Sequence, residues 1–147
     1  DLRDKFGLAD LFIGHDLSVV EYIADRVAVM YVGRIVELAP KAELFANPKH
    51  PYSEALLSAV PSVTPETRRE RIVLRGEIAN PAAPPPGCHF HPRCRYALPQ
   101  CSVTVPARLT MSAGHSAECH LYPRPGLPRH VRQSGSAPTS LSPVGAS

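Results

Sequence analysis

The stretch LFIGHDLSVVEYIADRVAVMYVGRIVE, residues 11–37, decides the fold. An apolar run over residues 8–13 breaks off at Gly14, His15 and Asp16 and reads as a strand. Asp16 is placed to cap a helix, in which Val19, Val20, Ile23 and Ala24 form one stripe with Glu21 and Asp25 off it. Val27–Val32 is a near-continuous apolar run, the mark of a strand covered on both faces. Gly33 and Arg34 interrupt it before Ile35, Val36 and Leu38 resume, so the pair reads as a hairpin. Strand, helix and hairpin in this order give an α/β class. Ligands of open α/β sheets sit beyond the carboxyl ends of strands, which puts His15 where it could touch one. The plainer reading of His15 is a strand-end histidine satisfied by a loop carbonyl.

Outward from this stretch the chain becomes less regular. Upstream, residues 1–7 read as the end of a helix closed by Gly7. Downstream, Pro40 ends the hairpin, Lys41–Ala46 forms a short helix stopped by Asn47 and Pro48, and Ser53–Val60 forms another closed by Pro61. A charged linker spans 62–71, Ile72–Leu74 suggests a short strand, and Pro81, Pro84, Pro85 and Pro86 make an extended lead-in. A cysteine-bearing unit follows from Gly87 to Tyr122. The stretch 123–147 is mostly Pro, Ser, Gly and Ala, buries too little to order itself, and reads as a disordered tail. The expected organisation is 1–61, 62–122 and 123–147.

Charge separates these parts. The net charge of +3 comes entirely from Arg124, Arg129 and Arg132, because the thirteen acidic residues and the other thirteen basic ones balance within 1–122. A neutral body lacks the clustered basic face of a nucleic-acid binder, so no nucleic-acid partner is expected. There is no secretory leader at the start of the sequence and no apolar run of transmembrane length. The expectation is a soluble or peripheral protein, and a first residue other than Met points to a piece of a longer one.

Cys88, Cys94, Cys101 and Cys119 are the only cysteines, spaced C-x5-C-x6-C-x17-C. They lie in a proline-rich unit with few large apolar residues, which suggests support other than burial. Metal ligation, free thiols and disulfides all remain open from spacing alone. Disulfides suit a secreted protein. Zinc usually shows paired short spacings, whereas an iron–sulfur cluster takes four thiolates at wider ones. His89, His91, His115 and His120 flank the cysteines as alternative ligands or supporting donors, or are simply exposed.

Three segments carry a resemblance: residues 11–37 quoted above, then LFANPKHPYSEALLSAVP with its His50-Pro51-Tyr52 tripeptide, then GCHFHPRCRYALPQC with AECH. In this order, over roughly residues 1–122, the chain closely resembles the C-terminal part of the ATP-binding subunits of oligopeptide/dipeptide ABC importers. The resemblance implies a P-loop ATPase domain, of which 1–61 is the end, followed by a four-cysteine extension. It implies that His15 is the switch histidine, catalytic and in contact with the ATP γ-phosphate. Gly14 stands where that family usually has Ser or Thr. No G-x-x-x-x-G-K-[ST] loop is present, so this chain alone is expected to be inactive.

The implied cofactors are ATP with Mg2+ in the intact protein and a [4Fe-4S] cluster on Cys88, Cys94, Cys101 and Cys119, with Zn2+ as the alternative. The implied partners are a second ATPase subunit, two membrane permeases and, indirectly, an extracytoplasmic peptide-binding protein, at the cytoplasmic face of the membrane. His50-Pro51-Tyr52 reads as structural, with Pro51 holding His50 extended and Tyr52 packing at the handover to the extension. The competing function is a stand-alone cysteine-ligated metal-binding module without ATPase activity.

Overall fold

The computed structural model describes residues 5–7, 9–60 and 70–122. The expected tail and most of the charged linker lie outside the described residues.

Asp16 caps as expected. Its Oδ1 accepts from the backbone N–H of Ser18 at 2.9 Å and Val19 at 3.4 Å, and helix α1 (Leu17–Ile23) starts there. The strand expected just before it does not form. Residues 9–13 are irregular, with Leu11 90% and Ile13 87% exposed. A strand exists only through its ladder, and among the described residues no neighbour pairs with this run.

The hairpin forms where expected, from β1 (Arg26–Tyr31) and β2 (Arg34–Pro40), with Val27 opposite Ala39 and Tyr31 opposite Arg34. Val32 at φ 44 and Gly33 at φ 75 make the turn, the sign pattern of a type I′ connection. β1 is not covered on both faces. Val27, Val29 and Tyr31 point inward while Arg26, Ala28 and Met30 face out, so one face of β1 is exposed; β1 is also an edge of a four-stranded sheet ordered β1-β2-β4-β3.

After the sheet's first pair come α2 (Lys41–Ala46) and α3 (Pro51–Ser58). Pro51 at the first helical position starts α3 two residues earlier than its apolar pattern announces. Ile72–Leu74 is extended but makes no strand; it is tied to α3 by the Ile72 N–H donating to Ser58 Oγ at 2.9 Å.

The cysteine-bearing unit is more regular than its composition suggests. It holds two 3-10 turns and two strands, β3 (Arg108–Ser112) and β4 (His115–Glu118). β4 pairs antiparallel with β2, setting Glu37 opposite Ala117 and Leu38 opposite Ser116. Glu118 is gripped by Arg34 at 3.1 Å and Arg108 at 3.0 Å, which clamps β4 to both neighbours. Phe90, 1% exposed, enters the core formed by Val27, Val29, Tyr31, Val36, Leu44 and Leu57. Its ring meets Tyr31 edge-on at 5.1 Å, and Tyr31 meets Tyr52 at 4.7 Å. The stretches on either side of residue 62 thus share one sheet and one core.

Candidate functional site

His15 occupies an exposed bend between the irregular run and α1. With no strand to present it, the described residues do not assemble a strand-end site around it.

The most constrained polar group is one that residue patterns did not single out. Glu37 lies mid-strand in β2, 1% exposed. A carboxyl group so buried must have its oxygens occupied. Its Oε1 accepts from the Lys49 N–H at 2.7 Å and faces His115 Nε2 at 2.7 Å, and its Oε2 accepts from the His50 N–H at 2.8 Å. One side chain therefore joins β2, β4 and the turn that opens α3. The alternation of the hairpin carried the only available signal, since it places Glu37 beside Val36 where an apolar residue is expected.

His50 faces the same junction. Its backbone is extended at φ −88 and ψ 135, as the following Pro51 requires, and its Nδ1 accepts from the Tyr52 N–H at 3.1 Å to cap α3. Burial lowers its pKa to about 4, so the ring is neutral and free to accept. The Tyr52 ring packs on Tyr31 and Phe90, and Tyr122 Oη donates to the Lys49 carbonyl at 2.8 Å. The tripeptide is structural in this geometry: it locks the helix start to the sheet and to the cysteine-bearing unit.

The four flanking histidines are not a ligand set. His115 is fully buried against Glu37 rather than exposed, because β4 carries it into the sheet interior. His89 Nδ1 lies 3.0 Å from the Val32 carbonyl, His91 Nδ1 lies 2.9 Å from the Cys88 carbonyl, and His120 Nε2 lies 2.8 Å from the Thr104 carbonyl. Each is occupied with local backbone.

The thiols form a loose quartet. Cys101 and Cys119 are buried, Cys88 and Cys94 partly so, and all four are free. Burial pushes the Cys94 thiol up to about 11 and the Cys119 thiol up to about 12, and raises that of Cys88. Neighbouring sulfurs add to each rise: Cys119 is affected by the other three, Cys94 by Cys88 and Cys101, and Cys88 by Cys101. Backbone hydrogen bonds oppose it, from Phe90 and His91 to Cys88, from Tyr96 to Cys94 and from Leu121 to Cys119. Leu98 donates its N–H to Cys101 Sγ at 3.4 Å. Gly87 sets up this loop. At φ +69, its Cβ position would lie 2.4 Å from the Cys101 carbonyl oxygen, and the Cys88 N–H donates to that same oxygen at 2.8 Å. Among the described residues no three His, Cys, Asp or Glu side chains converge closely enough to hold a single metal ion.

Comparison with known proteins places this arrangement. Residues 36–101 match the family described as "Oligopeptide/dipeptide transporter, C-terminal region". The matched span runs from β2 through the Glu37 junction and α3 to Cys101. The chain is 51% identical over 124 residues to the oligopeptide transport ATP-binding protein AppF of Bacillus subtilis, covering 83% of this chain and 38% of that protein. It is 55% identical over 106 residues to the dipeptide transport ATP-binding protein DppF of Escherichia coli, covering 72% of this chain and 32% of that protein. The chain therefore spans well under half the length of these relatives.

Proposed function

Starting from a chain whose residues 36–101 belong to the oligopeptide/dipeptide transporter C-terminal region, we propose that it is the C-terminal part of the ATP-binding, energy-coupling subunit of an ABC importer for dipeptides or oligopeptides. The observation that carries the reading is the match itself. It covers the His50-Pro51-Tyr52 junction, which ties α3 to the sheet through Glu37, and the relatives are named for peptide transport and ATP binding. The same match favours a transporter over a stand-alone metal-binding module. In this reading the chain works beside a second ATPase subunit and two permeases, with a peptide-binding protein outside, at the cytoplasmic face of the membrane. Among the described residues no helix is long and apolar enough to cross a membrane.

His15 is the residue assigned to chemistry. Its imidazole would contact the γ-phosphate and orient the attacking water, a positional and electrostatic task. The run that presents it here, residues 9–13, is apolar and exposed, as a sheet strand is before its neighbours cover it. In the full-length ATPase with its permeases in proteoliposomes, His15→Ala should lower ATP hydrolysis by about 100-fold or more while ATP binding persists. Unchanged hydrolysis would remove His15 from the mechanism.

The quartet of Cys88, Cys94, Cys101 and Cys119 is proposed to hold a [4Fe-4S] cluster. What supports the reading is that four free cysteines, two buried and two partly buried, fall in one unit, with the Cys88 N–H tied to the Cys101 carbonyl at 2.8 Å. When bound, it would supply ligand bonds that add folding free energy. Cys101 and Cys119 would anchor it from the buried side, and the Gly87 loop would hold Cys88 in place.

A further inference from the structure

Beside Cys94 lies an open cavity of about 760 Å3 between α3, the segment Glu70–Arg75 and the turn at Pro92–Arg95. Its volume is that of a ligand site. Phe90, Ile72 and Leu74 contribute its apolar lining. Among the described residues Arg71, Arg75, Arg93 and Arg95 line it against Glu54 and Glu70, a net charge of +2 for these six. Arg95 stands 3.5 Å from Glu54 and so offsets that carboxylate. Arg93 Nε is spent on the Arg75 carbonyl at 3.3 Å. Arg71 and Arg75 are exposed, with no ion pair among the described residues.

The wall that carries Arg71 and Arg75 is strand-like without being in a sheet. Ile72 and Leu74 turn inward, and Leu74 packs against the core. Arg71, Val73 and Arg75 turn out, with Val73 76% exposed. Among the described residues, the segment's hydrogen bonds are the Ile72 N–H to Ser58 Oγ and Arg93 to the Arg75 carbonyl. The remaining backbone donors and acceptors present an unpaired edge. Such an edge pairs with an added strand, and its outward side chains select the partner.

We propose that this groove binds an extended acidic peptide segment of a partner protein by strand addition along Arg71–Arg75. The outward pattern basic–apolar–basic calls for acidic–apolar–acidic opposite it, since opposite charges stabilise cross-strand pairs. Backbone pairing supplies affinity and the two arginines supply sign. The groove lies apart from His15, and the inference holds whether or not the ATPase reading does.

The test is calorimetric titration of the full chain with the N-acetylated, C-amidated hexapeptide Glu-Val-Glu-Val-Glu-Val. Saturable binding tighter than about 1 mM is expected, weakened at least about tenfold by Arg71→Glu with Arg75→Glu. The Lys-Val-Lys-Val-Lys-Val peptide should not bind. A hexapeptide of the acidic sequence with alternate backbone nitrogens methylated keeps the charges but cannot form the ladder, and it should lose binding as well. Equal binding of the methylated peptide, full competition by inorganic pyrophosphate, or no saturable binding would each overturn the proposal. The first two would leave a simple anion site.

Discussion

Burial strips water from the His50 ring and leaves it only one favourable state. Its pKa falls from 6.5 to about 4, so the folded protein holds it neutral where an unfolded chain would protonate it. The stability tied to this group is fully present above about pH 6.5 and is lost as pH falls through about 4. At full effect it is on the order of 3 kcal/mol. Chemical denaturation at a series of pH values should show the loss, and His50→Asn, which keeps a capping acceptor, should flatten the profile. Glu37 is the second residue on which this junction turns. Glu37→Gln replaces one accepting oxygen with a donor, so the backbone N–H of Lys49 or of His50 loses its acceptor, and an unfolding free energy lower by about 3 kcal/mol is expected from urea titration. Of these roles the sequence showed only the extended backbone of His50 before Pro51; the burial of both side chains was not legible in it. A glutamate in a strand and a histidine before Pro-Tyr look solvated until β4, far along the chain, closes over them.

The elements were legible where local chemistry dictates them. Asp16, Gly33, Pro40, Pro48 and Pro51 are punctuation that acts within a few residues, and α1, the hairpin and α2 fall where these marks place them. Elements that depend on distant pairing were not. β3 and β4 are five and four residues long, with alternation too short to read, and the run at 9–13 has strand composition but no ladder. The hairpin turn shows a local choice overridden by context. Val32 is β-branched yet sits at φ 44, a conformation that suits Asn or Gly. His89 holds its carbonyl, and the side chain packs on the core. Val32→Asn keeps the turn and removes the strain, so a gain of about 1 kcal/mol is expected by thermal denaturation. A loss instead would mean that the packing of the valine outweighs its backbone cost.

At the scale of the whole molecule, the cysteine-bearing unit is not an appendage. It contributes two of four strands, the buried partner of Glu37 and the central ring of the core. Residues 1–61 alone should therefore lack a cooperative unfolding transition, whereas the 147-residue chain shows one; calorimetry of the two compares them directly. The sequence divided these parts because their compositions differ. Composition reports how each stretch is stabilised, and it is silent about which stretches pack together. For the same reason, replacing the buried Cys101 or Cys119 would be felt across the sheet and not only in the loop that bears it.

The ring cluster at this junction has an optical consequence. The chain contains no tryptophan, and two of its five tyrosines, Tyr31 and Tyr52, pack on each other and on Phe90. Immobilised, asymmetrically placed tyrosines dominate near-ultraviolet circular dichroism, and that signal vanishes when tertiary packing loosens even if backbone structure persists. The protein thus carries a native, label-free gauge at the point where hairpin, helix and cysteine-bearing unit meet, able to report their separation before any strand is lost.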